Sequence, residues 1–354
     1  MRQKRLLVIA LAVATASCSQ GPSVPSNAGQ ALPSVELRSV AVAAPLKREA
    51  RRSYTKSVFV RGTDKRYNPD PIVWVNDFLF VAYQNATGPT GTGGDSTIVQ
   101  YNRKGSAIQA IKVPGRCDGM RWNPYTNIMW ITVNEDANSS LFTWDPTSGS
   151  IVHYSFSSAK HGGGYDDLAF SNGMAFIAAS NPKLSKKGIN KHPAMVSVVL
   201  KGSVAVVTPV LMGDAQATDV PTKQTVKLNL TDPDSMTVAP NGDVLLVSQA
   251  DSEIVWVHSA GSKSQSVSRL LVGTQIDDTV YATQSQGFLY VADAKRDVIY
   301  TVSGRFQSNG LYTEAPDDSG VRGFVGKVDT SYGSITPIIT GFGSPTGLLF
   351  VPTR

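Results

Sequence analysis

Acidic side chains recur at one position of a repeated pattern, at or just before the first short apolar run of each repeat. They are Asp70, Asp118, Asp166-Asp167, Asp234 and Asp277-Asp278. Carboxylates that converge from separate rigid strands supply the oxygen ligands that a hard cation such as calcium requires. Alternatively, each Asp accepts backbone N–H bonds within its own turn. The pattern leaves both interpretations open.

Other chemistry has less support in the residue types. Of the four histidines, His153 and His258 lie in strand patterns, and His161 and His192 lie in loops. His161 precedes a Gly-Gly-Gly-Tyr-Asp-Asp segment, so it could lie near the acids and carry a proton. The chain has no Gly-x-Ser-x-Gly elbow and no His-Glu-x-x-His motif, so neither a serine–histidine triad nor a zinc site is expected.

The elements that would position the acids are short strands. The stretch from Asp232 to His258 reads as three antiparallel strands, with Pro240-Asn241-Gly242-Asp243 as a tight hairpin turn. Related stretches recur at the spacing of four-stranded propeller blades, about 40–50 residues. They begin near Asn68, Arg116, Gly164, Gln275 and Gly343. The sequence predicts an all-β propeller with six blades. A count of five or seven blades remains open, because the segment Ser303 to Phe324 is either an insertion or conceals an extra strand.

The two chain ends are predicted to share a blade. Val35 to Val42 and Lys56 to Val60 alternate as strands do, and Leu348 to Val351 has the pattern of an innermost strand. We therefore expect N-terminal strands to join the C-terminal strand and close the ring, within one propeller domain spanning residues 35–354.

Long connections are predicted on one face of the ring only. They are Gln84–Ser96, Asn181–Met195, Gly213–Thr231 and part of Ala294–Phe324. Turns expected at the other face, such as Ser171-Asn-Gly, are minimal. Long loops on a rigid scaffold usually carry binding, so the looped face is the predicted ligand-binding face.

Residues 1–18 read as an export signal: basic residues near the start, the apolar run Leu6 to Val13, then small residues. Two processing sites remain open. Thr15 to Cys18 is similar to a bacterial lipobox, in which Cys18 would carry the lipid and anchor the protein to the membrane, whereas Ala14-Thr15-Ala16 suits ordinary cleavage. A polar tether would follow over residues 19–34. We therefore predict either a lipoprotein anchored in the bacterial cell envelope or a secreted or periplasmic protein.

The distribution of charge limits the classes of binding partner that the sequence favours. The first 66 residues hold twelve Lys/Arg and three Asp/Glu, whereas the rest holds twenty-one and twenty-four, so the positive charge belongs to the N-terminal segment. No basic stripe crosses the propeller, so we expect no nucleic-acid partner. We also expect a monomer.

Cys18 and Cys117 are the two cysteines, too few for a disulfide scaffold. We expect Cys117 to be a half-buried packing residue; a reactive thiol is the alternative.

Two segments resemble a known family. Phe288-Leu-Tyr-Val-Ala-Asp with the following Val298-Ile-Tyr, and Pro240-Asn-Gly-Asp-Val-Leu-Leu-Val, are similar to NHL-type repeats and to the six-bladed propellers of the gluconolactonase and senescence-marker-protein family. The resemblance implies one divalent cation, usually calcium, in the central channel. Asp234 would match the family's Asp ligand and Asp166 one of its Asn ligands. Cys117 stands where the other Asn would be, beside Asp118, which we take as the third candidate ligand.

Two functions from different classes follow. The first is a non-enzymatic propeller that binds a protein or a small molecule on its looped face. The alternative, implied by the resemblance, is a calcium-dependent hydrolase of lactones or related esters, with Asp278 or His161 as proton carrier.

Overall fold

The computed structural model describes residues 53–157, 160–316 and 322–353. The predicted export signal, the tether and the strand Val35–Val42 lie outside these residues. Within them no helix is long and apolar enough to cross a membrane. The described residues form an all-β propeller, so the predicted fold class is confirmed.

The first strand among the described residues, β1 (Thr55–Arg61), confirms the strand predicted over Lys56 to Val60. The strands that follow it form antiparallel four-stranded units, which we number along the chain. Unit 1 contains β2 (Pro69–Val75), β3 (Phe78–Tyr83), β4 (Asp95–Tyr101) and β5 (Ala107–Pro114). Unit 2 contains β6 (Cys117–Asn123), β7 (Ile128–Val133), β8 (Ser140–Trp144) and β9 (Ile151–Phe156). Unit 3 contains β10 (Leu168–Ser171), β11 (Met174–Ala178), β12 (Pro193–Lys201) and β13 (Val204–Met212).

Unit 4 carries an additional hairpin at its outer edge. The hairpin is β14 (Gln216–Asp219) with β15 (Thr225–Lys227). The unit itself contains β16 (Pro233–Val238), β17 (Val244–Ser248), β18 (Glu253–His258) and β19 (Ser266–Leu271). Strand β14 runs parallel to β19, which is therefore paired on both sides. As predicted, the β16–β17 connection is a tight turn, in which Gly242 has φ +88°.

The next repeat departs from the expectation. Strand β20 (Thr279–Ala282) does not pair with the next strand along the chain, which contains Phe288. It pairs instead with β23 (Gly310–Ala315), the strand concealed in Ser303–Phe324, and β24 (Phe324–Val328) and β25 (Ile335–Thr340) complete unit 5. The hairpin between β20 and β23, formed by β21 (Gln286–Asp293) and β22 (Val298–Arg305), leaves the unit; a short 3₁₀ turn, Ala294–Arg296, connects its strands.

This hairpin lies between the first and the last of the described strands in a closing unit. Its order from the inside is β26 (Pro345–Pro352), β21, β22 and β1. Gly287 lies inside β21, where a Cβ would come within 2.4 Å of the Phe350 ring. A glycine inside a strand often marks such a close approach rather than a turn. The predicted closure of the ring by the N- and C-terminal strands is confirmed, with the hairpin between them.

The innermost strands contact one another in a closed ring, in the order β2, β6, β10, β16, β20 and β26, and β26 returns to β2. The buried apolar clusters lie between neighbouring units rather than within them. For example, Phe80 of unit 1 packs edge-on against Trp144 of unit 2, with ring centroids 5.5 Å apart. Burying each such side chain contributes about 1.5–3 kcal/mol, so each unit depends on both neighbours. This rigid ring fixes where the first residues of the inner strands lie.

Candidate cation site at the channel mouth

The first residues of the inner strands converge on a cavity of about 180 Å³ at one mouth of the channel. Every acid that recurs in the sequence pattern lines it, together with one further carboxylate and two arginines. The charged lining residues are Asp70, Asp118, Glu135, Asp166, Asp167, Asp234, Asp277, Asp278, Arg116 and Arg121. Among these described residues eight acids face two cations, so a cation that entered the cavity would be strongly attracted.

Three carboxylates form the tightest group. Oxygen atoms of Glu135, Asp166 and Asp234 all lie within 4.8 Å of one another. A hydrogen bond between Asp166 and either of the other two requires a proton on one carboxyl group of that pair. Burial, followed by the neighbouring Asp234 carboxylate, raises the pKa of Asp166 well above its usual value. Burial and then Asp277 do the same to the pKa of Asp234. A proton or a metal cation is needed to hold these groups together.

Asp118 lies beside this group but is held by other partners. Its Oδ1 accepts hydrogen bonds from Gln84 Nε2 at 2.6 Å and from Arg116 Nε at 2.9 Å. The same Gln84 amide donates to Asp70, and Arg116 reaches Glu135 at 3.4 Å. Gln84 and Arg116 therefore tie the acids of two units to the loop that carries Glu135.

The opposite side of the cavity is organised by Arg121. Its guanidinium pairs with Asp167 and lies 3.7 Å from Asp278 Oδ1. Backbone N–H groups complete these carboxylates: Met236 donates to Asp167 at 3.0 Å and Leu348 to Asp278 at 2.9 Å. Burial raises the pKa of Asp167 to about 7, although Arg121 opposes the shift. Burial likewise raises the pKa of Asp278 against the opposing charge of Arg121.

Some carboxylate oxygens around the cavity have no hydrogen-bond partner. Within the described residues these include Asp118 Oδ2 and Asp167 Oδ1, whose residues are 9% and 3% exposed and line the cavity. Behind them, Glu314 is fully buried with Oε2 unpaired, while its Oε1 accepts from Asp278 N at 3.0 Å. A buried carboxylate oxygen without a partner carries a large desolvation cost. All-oxygen donors with spare lone pairs fit a hard divalent cation.

Two residues singled out from the sequence lie elsewhere. His161 does not line the cavity: it is 2% exposed, its Nε2 lies 2.6 Å from the Gly164 carbonyl oxygen, and burial lowers its pKa. Cys117 is fully buried in the apolar cluster between units 1 and 2, with Sγ 3.8 Å from the Gly119 oxygen, and burial raises its pKa well above the usual value. The Cys117 thiol is more deeply buried than the half-buried residue we expected.

Sequence reasoning missed Glu135, both arginines and Glu314. Glu135 follows β7 in the connection to β8, so it lies at the looped face even though no repeat of the acidic pattern includes it. The sequence could have indicated Glu135, because the connection between the second and third strands of a unit was predicted to lie on the looped face. Arg121 lies on β6, three residues after Asp118, where an apolar strand pattern hides a cation that points into the channel mouth.

The long connections pack on one another around this mouth. Asp136 N donates to Pro89 O at 3.1 Å, which joins the connections after β3 and β7. Lys183 N donates to His161 O at 2.8 Å, and Asn190 Nδ2 to Leu230 O at 2.6 Å, which joins the later ones. The acidic cavity therefore lies at the looped face, within a collar of mutually supporting loops.

Comparison with known proteins identifies no family. No protein-family model matches the chain, and no curated protein matches it. Solved structures resemble it at low identity. A protein of unknown function from Bacteroides caccae has a TM-score of 0.48 and 10% identity, covering 80% of this chain and 86% of its own. A 6-phosphogluconolactonase-like protein from Bacteroides uniformis has a TM-score of 0.46 and 12% identity, covering 80% of this chain and 88% of its own. Virginiamycin B lyase from Staphylococcus aureus has a TM-score of 0.36 and 9% identity, covering 71% of this chain and 99% of its own. Because these TM-scores are below 0.5, we take the fold from the strand pairing and the chemistry from this chain's own side chains.

Proposed function

We propose that this propeller binds one divalent cation, calcium, at the channel mouth, and that the cation-loaded mouth forms the floor of a ligand-binding site on the looped face. One observation carries the proposal: Glu135, Asp166 and Asp234 bring carboxylate oxygens within 4.8 Å of one another beside buried carboxylate oxygens that have no partner. Glu135, Asp166 and Asp234 would hold the ion, and Asp118 Oδ2 offers a further oxygen. The bound ion would supply positive charge that attracts an oxygen atom of the ligand.

The chain's own residues define what kind of ligand would fit. Arg116 and Arg121 lie on the cavity wall, already paired with carboxylates, so they limit the negative charge without neutralising it. Ser235 and Gln249 add neutral polar groups to the lining. A cavity this small and polar accommodates an oxygen-rich fragment, such as a sugar acid, a lactone or a side chain of a protein partner, better than a large apolar group.

Calcium binding tests the proposal directly. Isothermal titration of the purified protein with calcium should give close to one site per chain, and Asp234→Asn should lose it. Asp214→Asn is the matched control, because Asp214 is paired with Lys191 at 2.7 Å and Lys227 at 3.2 Å outside the cavity. Absence of binding to the wild type, or equal loss in both variants, would contradict a cation site at the mouth.

Hydrolysis of lactones or related esters is the second candidate function. It is favoured by Asp167 and Asp278, two carboxyl groups that share Arg121 and face the same cavity as the proposed ligands. Paired carboxyls beside a bound substrate are suited to proton transfer. The protein would be tested on a panel of sugar lactones. Hydrolysis that calcium activates would support this reaction, provided that Asp278→Asn lowers the rate of hydrolysis without changing the affinity for calcium. Calcium binding without any turnover would leave the protein a binder.

Export and lipid anchoring complete the proposal, and the sequence of residues 1–18 supports them. A Cys18→Ser variant should then move from the membrane fraction to the soluble envelope fraction. If the wild type and the variant were both found in the soluble fraction, ordinary cleavage after Ala16 would be favoured instead.

A further inference from the structure

A second cavity, of about 400 Å³, lies at the end of unit 4 opposite the acidic mouth. It is bordered by the tight β16–β17 turn and by strands β18 and β19. Three of its lining residues, Asp243, His258 and Ser268, form a chain of hydrogen bonds. Ser268 Oγ lies 2.8 Å from His258 Nε2, and Asp243 Oδ2 lies 2.7 Å from His258 Nδ1.

Three separate strand segments place these groups. Asp243 precedes β17 directly after the Asn241-Gly242 turn, His258 ends β18, and Ser268 lies within β19. Ser268 is paired with Trp256, two residues before His258, so the serine and histidine side chains lie on the same face of the sheet. Because β14 pairs with the other side of β19 at Ser268, the serine backbone is held on both sides.

The carboxylate is fixed as well as close. Asn241 Nδ2 donates to Asp243 Oδ2 at 2.7 Å, and Ser259 N donates to Oδ1 at 3.4 Å. Burial disfavours the charged carboxylate, but the hydrogen bonds from His258 and Asn241 outweigh it and lower the pKa of Asp243. An ionised carboxylate on Nδ1 selects the tautomer in which Nε2 is free to accept the serine proton.

Although the sequence motifs predicted no serine–histidine triad, we propose that Ser268, His258 and Asp243 form a second, cation-independent site that hydrolyses small carboxylic esters. Trp256, Tyr281 and Val220 form the apolar wall of the cavity. Trp256 Nε1 donates to the Tyr281 hydroxyl at 3.2 Å, which orients both rings. A short acyl group with an aryl or alkyl leaving group matches a wall of this composition.

The reaction balances without any further reactant except water. Ser268 Oγ attacks the ester carbonyl carbon, and its proton passes to His258 Nε2. The ester C–O bond then breaks, and the leaving alcohol takes that proton. Water attacks the acyl-serine while His258 Nε2 accepts a proton from it. As the Ser268–acyl bond breaks, His258 returns that proton to Ser268 Oγ, and the carboxylic acid leaves. Ser268 and His258 touch the reacting atoms, whereas Asp243 acts as a positioning residue.

The chain also contains a matched pair that lacks the carboxylate. In unit 2, His153 Nε2 lies 3.0 Å from Ser140 Oγ on adjacent strands. Across the described ranges no hydrogen bond links His153 to a carboxylate. The Ser140–His153 pair is therefore an internal control for a cross-strand Ser–His contact that lacks an orienting acid.

The probes are a fluorophosphonate, which reacts with activated serines, and p-nitrophenyl acetate. We expect one label per chain, located at Ser268 by peptide mass spectrometry, and a p-nitrophenol burst of about one equivalent that persists in chelator. Ser268→Ala should abolish the label and the burst, and Ser140→Ala should leave both unchanged. Asp243→Asn should lower the rate of the burst about tenfold or more with little change in KM, because it disturbs the tautomer rather than binding.

Several results would overturn the site. They are no labelling of the wild type, a label on another residue, a label retained by Ser268→Ala, and a burst rate in Asp243→Asn equal to that of the wild type. Circular dichroism and thermal midpoints of each variant separate a lost fold from lost chemistry. Because this site is expected to work in chelator, its failure and the failure of calcium binding are independent results.

Discussion

Replacing Asp234 by Asn should raise stability in chelator and abolish the stabilisation that calcium gives the wild type. In chelator, the carboxylates of Glu135, Asp166 and Asp234 repel one another unless they take up protons. At a separation of 4.8 Å and an effective dielectric constant near 20, each ionised pair costs about 3.5 kcal/mol. Protonating a carboxyl group of ordinary pKa at pH 7 costs about 4 kcal/mol, which sets a ceiling on the penalty that one group imposes. The asparagine removes one charge, and its amide can still donate to Asp166.

The magnitude translates into a measurable thermal shift. A folded unit of roughly 300 residues has an unfolding entropy of about 0.6 kcal/mol/K, so relief of about 3 kcal/mol raises the thermal midpoint by about 5 °C in chelator. Calcium at a hundred times its Kd stabilises a single-site protein by about 2.7 kcal/mol. That gain, about 4 °C on the same scale, should occur in the wild type and be absent in Asp234→Asn.

Differential scanning calorimetry at pH 7, in chelator and across a calcium titration, measures both effects. The Asp214→Asn control removes a carboxylate that is paired with two lysines, so it should be slightly less stable than the wild type in both buffers and should keep the calcium response. A lower thermal midpoint for Asp234→Asn than for the wild type in chelator would contradict this prediction. Asp234 would then stabilise the fold through its own local bonds, and carboxylate repulsion would not govern the mouth.

Two further predictions concern other parts of the ring. Burial raises the pKa of Glu253 to about 7 despite the opposing charge of Arg269, so the folded state binds more protons than the unfolded state between about pH 4.5 and 7 and stability falls as pH rises through that window. Glu253→Gln should therefore gain up to about 3 kcal/mol at pH 8 and little at pH 4.5, and urea unfolding that shows the same gain at both pH values would contradict this. Lys56 of β1 donates from Nζ to Gly341 O at 2.7 Å and to Thr340 O at 3.2 Å. Lys56→Met should cost about 1–3 kcal/mol in urea, and no loss would show that this contact does not hold the closing unit.

The repeated short-range pattern predicted much of the architecture. Alternating apolar residues, the Asn241-Gly242 turn and the acid at each first strand are local signals, and they correctly indicated a propeller whose acids meet at one mouth. The pattern failed where two local signals were equivalent. Gly287 satisfies a turn and a close strand contact equally well, and only the Phe350 ring packed against it decides between them.

Local patterns in the sequence indicated most of the strands and turns and the acids at the start of the inner strands, because strand alternation and positive-φ turns depend on neighbours in the chain. They did not indicate the β14–β15 hairpin inside the predicted connection Gly213–Thr231. The folded chain alone reveals which sheet the β21–β22 hairpin joins, that Glu135 from a loop completes the carboxylate group, and that Ser268 meets His258 and Asp243. These contacts link residues that no local pattern relates. They follow from the closure of the ring and from cross-strand register, which bring distant side chains together only after every unit has packed against its neighbours.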